Sequence, residues 1–277
     1  MIEYLKALII GIIEGITEWL PISSTGHMIL FDEFFDLNVS DEFKSLFLVV
    51  IQLGAIMAVV TSFFGKMNPF SRSKSKEERG AVWSMWSKVI VGVIPACIFG
   101  LLLDDFMDEH LYNFLTVSIA LLVYGIAFIV VERINRNRAP RVSDIGDLTY
   151  RDALFIGCFQ VLSLIPGTSR SGSTILGGII LGVGRTAAAE FSFFMALPIM
   201  VGASGLKIFK FVYAGNVCSG REIVMLLIGM AAAYIVSVIA IKFLMDFVKR
   251  HDFTPFGVYR IILGCILLTY YVFRYAV

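Results

Sequence analysis

Residues 7–30 read ALIIGIIEGITEWLPISSTGHMIL, and residues 153–176 read ALFIGCFQVLSLIPGTSRSGSTIL. A constant offset of 146 residues, with no gap, aligns Ala7 with Ala153, Gly11 with Gly157, Ser23 with Ser169, Gly26 with Gly172 and Ile29-Leu30 with Ile175-Leu176. The same offset sets Glu14 beside Gln160, Thr17 beside Ser163, Ser24 beside Arg170 and Thr25 beside Ser171. Each copy is an apolar run broken near its middle by proline, glycine, hydroxyls and charge, and then resumed. That pattern predicts a helical hairpin that enters a membrane and leaves by the same side. Irregular backbone at such depth is tolerated only where it is buried in protein or lines a wet cavity.

The rest of the chain supplies the membrane. Hydrophobic residues make up 58% of it, charged residues 16%, and the mean hydropathy is +0.83. A soluble domain carries roughly half apolar and a quarter charged residues, so the class is an all-α integral membrane protein. The formal net charge of +1 leaves no basic face of the density a nucleic-acid partner needs. Cys97, Cys158, Cys218 and Cys265 are isolated, with no zinc spacing or disulfide framework. The N-terminus lacks a basic n-region and a cleavage site, and reads as part of the mature protein.

Six apolar stretches, at about 45–65, 88–103, 114–132, 190–212, 222–245 and 255–274, approach or exceed the roughly 20 residues that cross a bilayer. Lys66, Arg72, Lys74, Lys76, Arg79 and Lys88 follow the first; Arg133, Arg136, Arg138, Arg141 and Arg151 precede the second hairpin; Arg185 follows it; Lys249 and Arg250 precede the last span. The positive-inside rule makes these faces cytoplasmic. Asp32, Glu33, Asp36, Asp41 and Glu42, then Asp104, Asp105, Asp108 and Glu109, face outward. A single polytopic domain of two halves follows, 1–132 and 150–277, joined by a basic loop at 133–149. The re-entrant hairpins cover about 5–30 and 153–183. Each half then holds a hairpin plus an odd number of spans, which inverts the second relative to the first. Weaker echoes agree: Phe47/Phe191 and Leu53/Leu197 at an offset of 144, Gly125/Gly264 at 139. Inverted repeats place a site at mid-membrane, where the interrupted helices meet.

Glu14 and Glu18 share one helix face. Each intramembrane carboxylate costs about 2.5–3.5 kcal/mol even on gentle scales. A divalent cation such as Mg²⁺ or Ca²⁺, held in part by substrate phosphates, would offset that cost; a structural hydrogen-bonded pair is the plainer alternative. Ser23, Ser24, Thr25, Gly26 and His27 bring hydroxyls, a flexible residue and a titratable base, and the amides of such a turn form an anion nest. His27 suits acid, base or nucleophile chemistry near neutral pH, or a bond across helices. In the second copy Thr168, Ser169, Arg170, Ser171, Gly172 and Ser173 surround a guanidinium whose planar fork suits phosphate oxygens. Arg170 could instead pair with Glu14 or Glu18, or do both in turn. Gln52 reads as an interhelical bond, Glu190 as an interfacial or capping residue, and Asp152 and Arg185 as surface charges.

At this point the motifs resemble a known family. Glu14-Gly15-Ile16-Thr17-Glu18-Trp19-Leu20-Pro21-Ile22-Ser23-Ser24-Thr25-Gly26-His27 resembles the glutamate-rich first motif of bacterial undecaprenyl-diphosphate phosphatases, the bacitracin-resistance family, and Pro166 through Thr174 resembles its second. The similarity extends to Glu190-Phe191-Ser192-Phe193 and Pro255-Phe256-Gly257-Val258-Tyr259-Arg260. The resemblance implies a hydrolase that removes the terminal phosphate of a C55 isoprenyl diphosphate in the plasma membrane, with a divalent-metal requirement and a site open to the extracytoplasmic side. It implies metal and acid/base roles for Glu14 and Glu18, a nucleophilic or activating role for Ser24 and His27, and a phosphate clamp in Arg170. Partners are then the polyprenyl diphosphate lipid and the bilayer; a homodimer is compatible with the reading. The rival from another class is a secondary transporter or lipid flippase for an anionic substrate, because broken inverted repeats are the usual transporter plan. A phosphatidate-type membrane phosphatase is discounted, since its Lys-x₆-Arg-Pro element and second His-x₃-Asp are missing.

Overall fold

Where the chain runs apolar for more than four turns it forms a long helix, and where proline and serine interrupt it the helix stops. In the computed structural model, which describes residues 1–35 and 37–275, the helices are α1 (Ile2–Thr17), α2 (Ser24–Phe34), α3 (Asp41–Met67), α4 (Lys76–His110), α5 (Phe114–Asn135), α6 (Tyr150–Val161), α7 (Arg170–Ile180), α8 (Arg185–Tyr213), α9 (Gly220–Phe247) and α10 (Thr254–Tyr275). Asp36 lies outside the described residues, as do the side chains of Asp104, Asp105 and Asp108. No strand occurs among the described residues, only an isolated bridge between Val142 and Val183. The all-α membrane class holds.

Six helices are long and apolar enough to span a bilayer, at Asp41–Met67, Lys76–Leu103, Phe114–Asn135, Arg185–Tyr213, Gly220–Phe247 and Thr254–Arg274. Each contains one of the six expected stretches and extends it, because end caps carry the helix past the apolar run. Ser40, Ser75, Asn113 and Ser219 accept backbone N–H bonds at four of these starts. Large apolar side chains such as Ile94, Phe99, Val123, Ile126, Leu227, Ile239, Ile262 and Phe273 stand exposed along them. In water such a surface would drive association; in a bilayer it is the lipid-facing coat.

The four short helices are different. At 1.5 Å per residue, α2, α6 and α7 extend only about 16–18 Å, too short to cross about 30 Å of hydrocarbon. α1 packs on α2 and on α9, while α6 packs on α7 and on α4. Glycine lets the backbones touch at these crossings. A Cβ at Gly11 would collide with the Gly229 carbonyl, and one at Gly157 with the Gly92 carbonyl. α5 lies along α10, where Gly125 faces the Gly257 carbonyl and Gly264 faces that of Ser118. Such close small-residue approaches are how helices adhere where lipid removes the hydrophobic drive.

The largest buried cluster runs from Trp19, Leu20 and Ile22 in the α1–α2 turn through Ala55 and Val59 of α3 and Val89 of α4 to Phe191, Phe193 and Phe194 of α8. The edge of Trp19 meets Phe193 with centroids 5.3 Å apart. The turn residues of both interruptions, 19–23 and 166–168, are buried within protein.

Candidate active site

The two interruptions have the same backbone. Ser23 and Ser169 each have φ of 74°, and they are the non-glycine residues at positive φ among the described residues. Each caps the helix that follows: Ser23 Oγ accepts from Gly26 N–H at 3.2 Å, and Ser169 Oγ from Gly172 N–H at 3.1 Å. A left-handed non-glycine residue costs on the order of 1–3 kcal/mol and persists only where its surroundings over-determine it. The caps also engage the Gly26 and Gly172 amides, so the donors left for an anion are those of the neighbouring residues in the first turns.

Charge converges on this pair of turns. Arg170 Nη2 donates to Glu18 Oε1 at 2.8 Å, across 152 residues of sequence, and Nη1 donates to the Ser192 carbonyl at 2.8 Å. Its guanidinium carbon lies 5.6 Å from the Trp19 ring centre. Glu18 Oε2 accepts from Ser24 Oγ at 3.1 Å, while Ser171 Oγ donates to the Glu18 carbonyl at 3.0 Å. Glu14, buried one turn earlier, is within electrostatic reach of Glu18 and Arg170 and hydrogen-bonding reach of Gln52. Glu14 Oε1 and Arg170 Nε are buried without a protein partner. An unmatched acceptor and an unmatched donor beside the Glu18–Arg170 pair suit a polar ligand, because leaving such atoms without a partner costs about 1–3 kcal/mol each.

His27 is fixed from two sides. Its Nδ1 lies 2.7 Å from the Ser23 carbonyl, its Nε2 2.7 Å from the Tyr259 hydroxyl, and the two rings are parallel to within 3°. A carbonyl only accepts, so in the neutral ring Nδ1 carries the proton and Nε2 accepts from Tyr259. The hydrogen-bond partner of Ser24 is thus Glu18, and both nitrogens of His27 are engaged elsewhere.

Of the other expected residues, Ser24, Thr25, His27, Ser169 and Arg170 are partly open, whereas Thr168, Ser171 and Ser173 are buried beneath the turns. Thr168 and Ser173 face Tyr124. Gln52, expected to bond between helices, lies on α3 within hydrogen-bonding reach of Glu14, a site carboxylate. Glu190 stands apart, buried and paired with Lys66 at 2.7 Å. Asp152 caps α6 and binds Arg141; Arg185 binds Glu132. The residues sequence reasoning left without a role are Trp19, Tyr124, Ser192, Tyr259 and Arg260. Arg260 is fully buried and donates to the carbonyls of Pro21, Gly167 and Thr168. Its signals in the sequence were a charge inside an apolar span and its place in the Pro255–Arg260 stretch that resembles the family. Among the described residues no cluster of three or more His, Cys, Asp or Glu could cage a metal.

The chain resembles known proteins over nearly its whole length. It is 59% identical over 268 residues to an undecaprenyl-diphosphatase of Enterococcus faecalis, covering 97% of both chains. It is 55% identical to one of Limosilactobacillus fermentum, covering 98% of both, and 53% identical to one of Streptococcus thermophilus, covering 98% of this chain and 94% of that one. The family model described as bacitracin resistance protein BacA matches residues 7–266, which contain both serine-capped turns, and the chain belongs to that family.

Proposed function

We propose that this chain hydrolyses undecaprenyl diphosphate to undecaprenyl phosphate and inorganic phosphate. The reaction recycles the lipid carrier for peptidoglycan and other wall polymers and confers bacitracin resistance. The names of its relatives favour hydrolysis over transport. The single observation that carries the chemistry is the junction of Ser24, Glu18 and Arg170, at 3.1 and 2.8 Å, largely buried in protein and partly open at Ser24 and Arg170.

The lipid tail stays in hydrocarbon while the diphosphate enters between the two turns. Arg170, anchored by Glu18 and Ser192, presents its unmatched Nε to phosphoryl oxygens, and the free first-turn amides beside Ser24 and Arg170 add donors. Phosphoryl transfer is promoted chiefly by such pre-placed positive groups, which act strongly where water is excluded. Ser24 Oγ attacks the terminal phosphorus and Glu18 takes its proton. The bond from that phosphorus to the bridging oxygen breaks, and undecaprenyl phosphate departs. Once Glu18 has passed that proton to the departing phosphate, it takes a proton from the water that attacks the serine phosphate and hands it to Ser24 Oγ, so that serine is restored as inorganic phosphate leaves. His27, three residues from Ser24 on the same helix, reaches the leaving oxygen only through the Tyr259 hydroxyl that its Nε2 holds.

Glu14 and Glu18 fit a hard divalent cation, Mg²⁺ or Ca²⁺, because Glu14 Oε1 is an unmatched buried oxygen. Two carboxylates are too few for a protein cage but suffice for an ion completed by substrate phosphates. Bound there, the ion would neutralise diphosphate charge.

Two inverted halves with re-entrant hairpins account for the matching caps and for the paired α1–α9 and α6–α4 crossings. The basic loops at 66–88 and 133–151 support a site entered from the extracytoplasmic side. Phosphate release from prenyl diphosphates by the detergent-purified protein tests the reading. No release at any divalent-metal concentration overturns it.

A further inference from the structure

Arg260 is a buried cation with no carboxylate beside it among the described residues; its charge faces the Tyr124 ring, 5.5 Å from the guanidinium carbon. Its donors go to backbone instead. Nη1 reaches the Pro21 carbonyl at 3.2 Å, and Nη2 reaches those of Gly167 and Thr168 at 2.9 Å each. The offset of 146 that aligns the two motifs makes Pro21 and Gly167 equivalent positions. The two nitrogens of one fork thus hold the matching carbonyl of each turn.

The offset of 139 that pairs Gly125 with Gly264 makes Leu121 the counterpart of Arg260. Their places correspond in space: a Cβ at Gly26 would lie 3.4 Å from Leu121 Cδ1, and one at Gly172 would lie 3.3 Å from Arg260 Nη1. Each side chain sits under the first turn of the helix after a serine cap. A guanidinium at both places would set two buried cations side by side over one set of carbonyls, so a single fork serves both turns.

The direction of these carbonyls matters for the site. A trans peptide points its C=O and the next N–H opposite ways. Arg260 fixes the Thr168 carbonyl on its own side, which turns the Ser169 N–H away from Arg260. The Ser169 N–H takes no partner among the described residues. The Thr168 carbonyl directly precedes the left-handed Ser169 cap, and those of Pro21 and Gly167 each lie two residues before a cap, where strain must be restrained.

We propose that Arg260 is a positioning residue, a single clamp between the two half-sites that holds both serine caps in register and aims the Ser169 N–H at the terminal phosphate. The inference rests on the phosphatase reading above. Arg260→Lys offers one ammonium where a two-armed fork is needed; Tyr124→Leu removes the ring under the fork, and Tyr124→Phe, which keeps the ring and loses only the hydroxyl facing Thr168 and Ser173, is its control.

The test measures kcat, KM, melting temperature and the inhibition constant of orthophosphate on purified protein. For Arg260→Lys, kcat falls about tenfold or more and the orthophosphate constant rises by a similar factor, while the melting temperature moves only a few degrees. Tyr124→Leu moves the same two quantities in the same directions by roughly threefold, and it carries the test if Arg260→Lys does not fold. Wild-type kcat and orthophosphate constant in a folded variant overturn the proposal. So does a loss of activity that tracks the fraction unfolded. If wild-type protein releases no phosphate, the phosphatase reading falls by itself. Calorimetric binding of orthophosphate then still judges Arg260, and equal affinity in wild type and Arg260→Lys counts against it.

Discussion

The turn between α1 and α2 and the turn between α7 and the short helix before it share one backbone and divide the chemistry. Both carry a serine cap at φ 74° with its hydroxyl on a glycine amide three residues on. The first adds two carboxylates, Ser24 and His27; the second adds Arg170, with Gln160 where the first has Glu14. The lesson is that a repeated backbone device sets where groups stand, and side chains at matched positions decide what the site does. Ser24 and Arg170, aligned in sequence, meet through Glu18 rather than repeating one another.

The sharpest way to break this division is to remove one member from each side. Ser24→Ala and Arg170→Ala each lower kcat by about 10³-fold or more if one supplies the nucleophile and the other the clamp. Phosphoenzyme trapping distinguishes the nucleophile: the adduct vanishes in Ser24→Ala and forms in His27→Ala. An adduct persisting in Ser24→Ala rules out Ser24 as the attacking group. The hydroxyl's neighbour is Glu18, so Glu18→Gln is expected to approach the same loss with folding intact.

Exchanging the unequal pair probes the cation. Glu14→Gln makes the first half resemble the second, and activity then needs roughly tenfold more divalent metal for half-saturation. The opposite change, Gln160→Glu, puts a carboxylate at a fully buried site whose amide already lacks partners. It lowers the melting temperature without adding a metal site, because an unpaired buried charge is far costlier than an unpaired amide. Chelator titration and thermal unfolding in detergent read these two outcomes; metal dependence unchanged in Glu14→Gln would remove Glu14 from the cation's ligands.

The smallest effects concern what the turns share. Ser23→Ala and Ser169→Ala each lose one cap bond, worth about 1 kcal/mol. Similar losses of stability are expected from both, measured by thermal unfolding. A much larger loss from one than the other would mean that the caps are not equivalent.

Much of this architecture was legible in the chain. Apolar runs mark all six spanning helices, since burial in hydrocarbon demands continuous apolar sequence. The helix ends ran past those runs, because Ser40, Ser75 and Ser219 start helices with polar turns that hydropathy ignores. Arg170 and the glutamates stood out because charge in an apolar segment needs a reason. Trp19 and Ser192 did not: an aromatic or a serine in a membrane helix is ordinary, and only packing shows that Arg170 rests on both. The carboxylates, the guanidinium and the repeat that unites them were therefore determined by sequence alone, as matters of composition and period. Which oxygen holds Arg170, that Ser24 answers to Glu18, and that Arg260 joins the turns were decided only by tertiary structure. The contacts of Arg170 with Glu18 and of Arg260 with the turns span 92 to 239 residues and depend on how the helices cross. The Ser24–Glu18 bond depends on the turn between them, and no local pattern in the sequence encodes either.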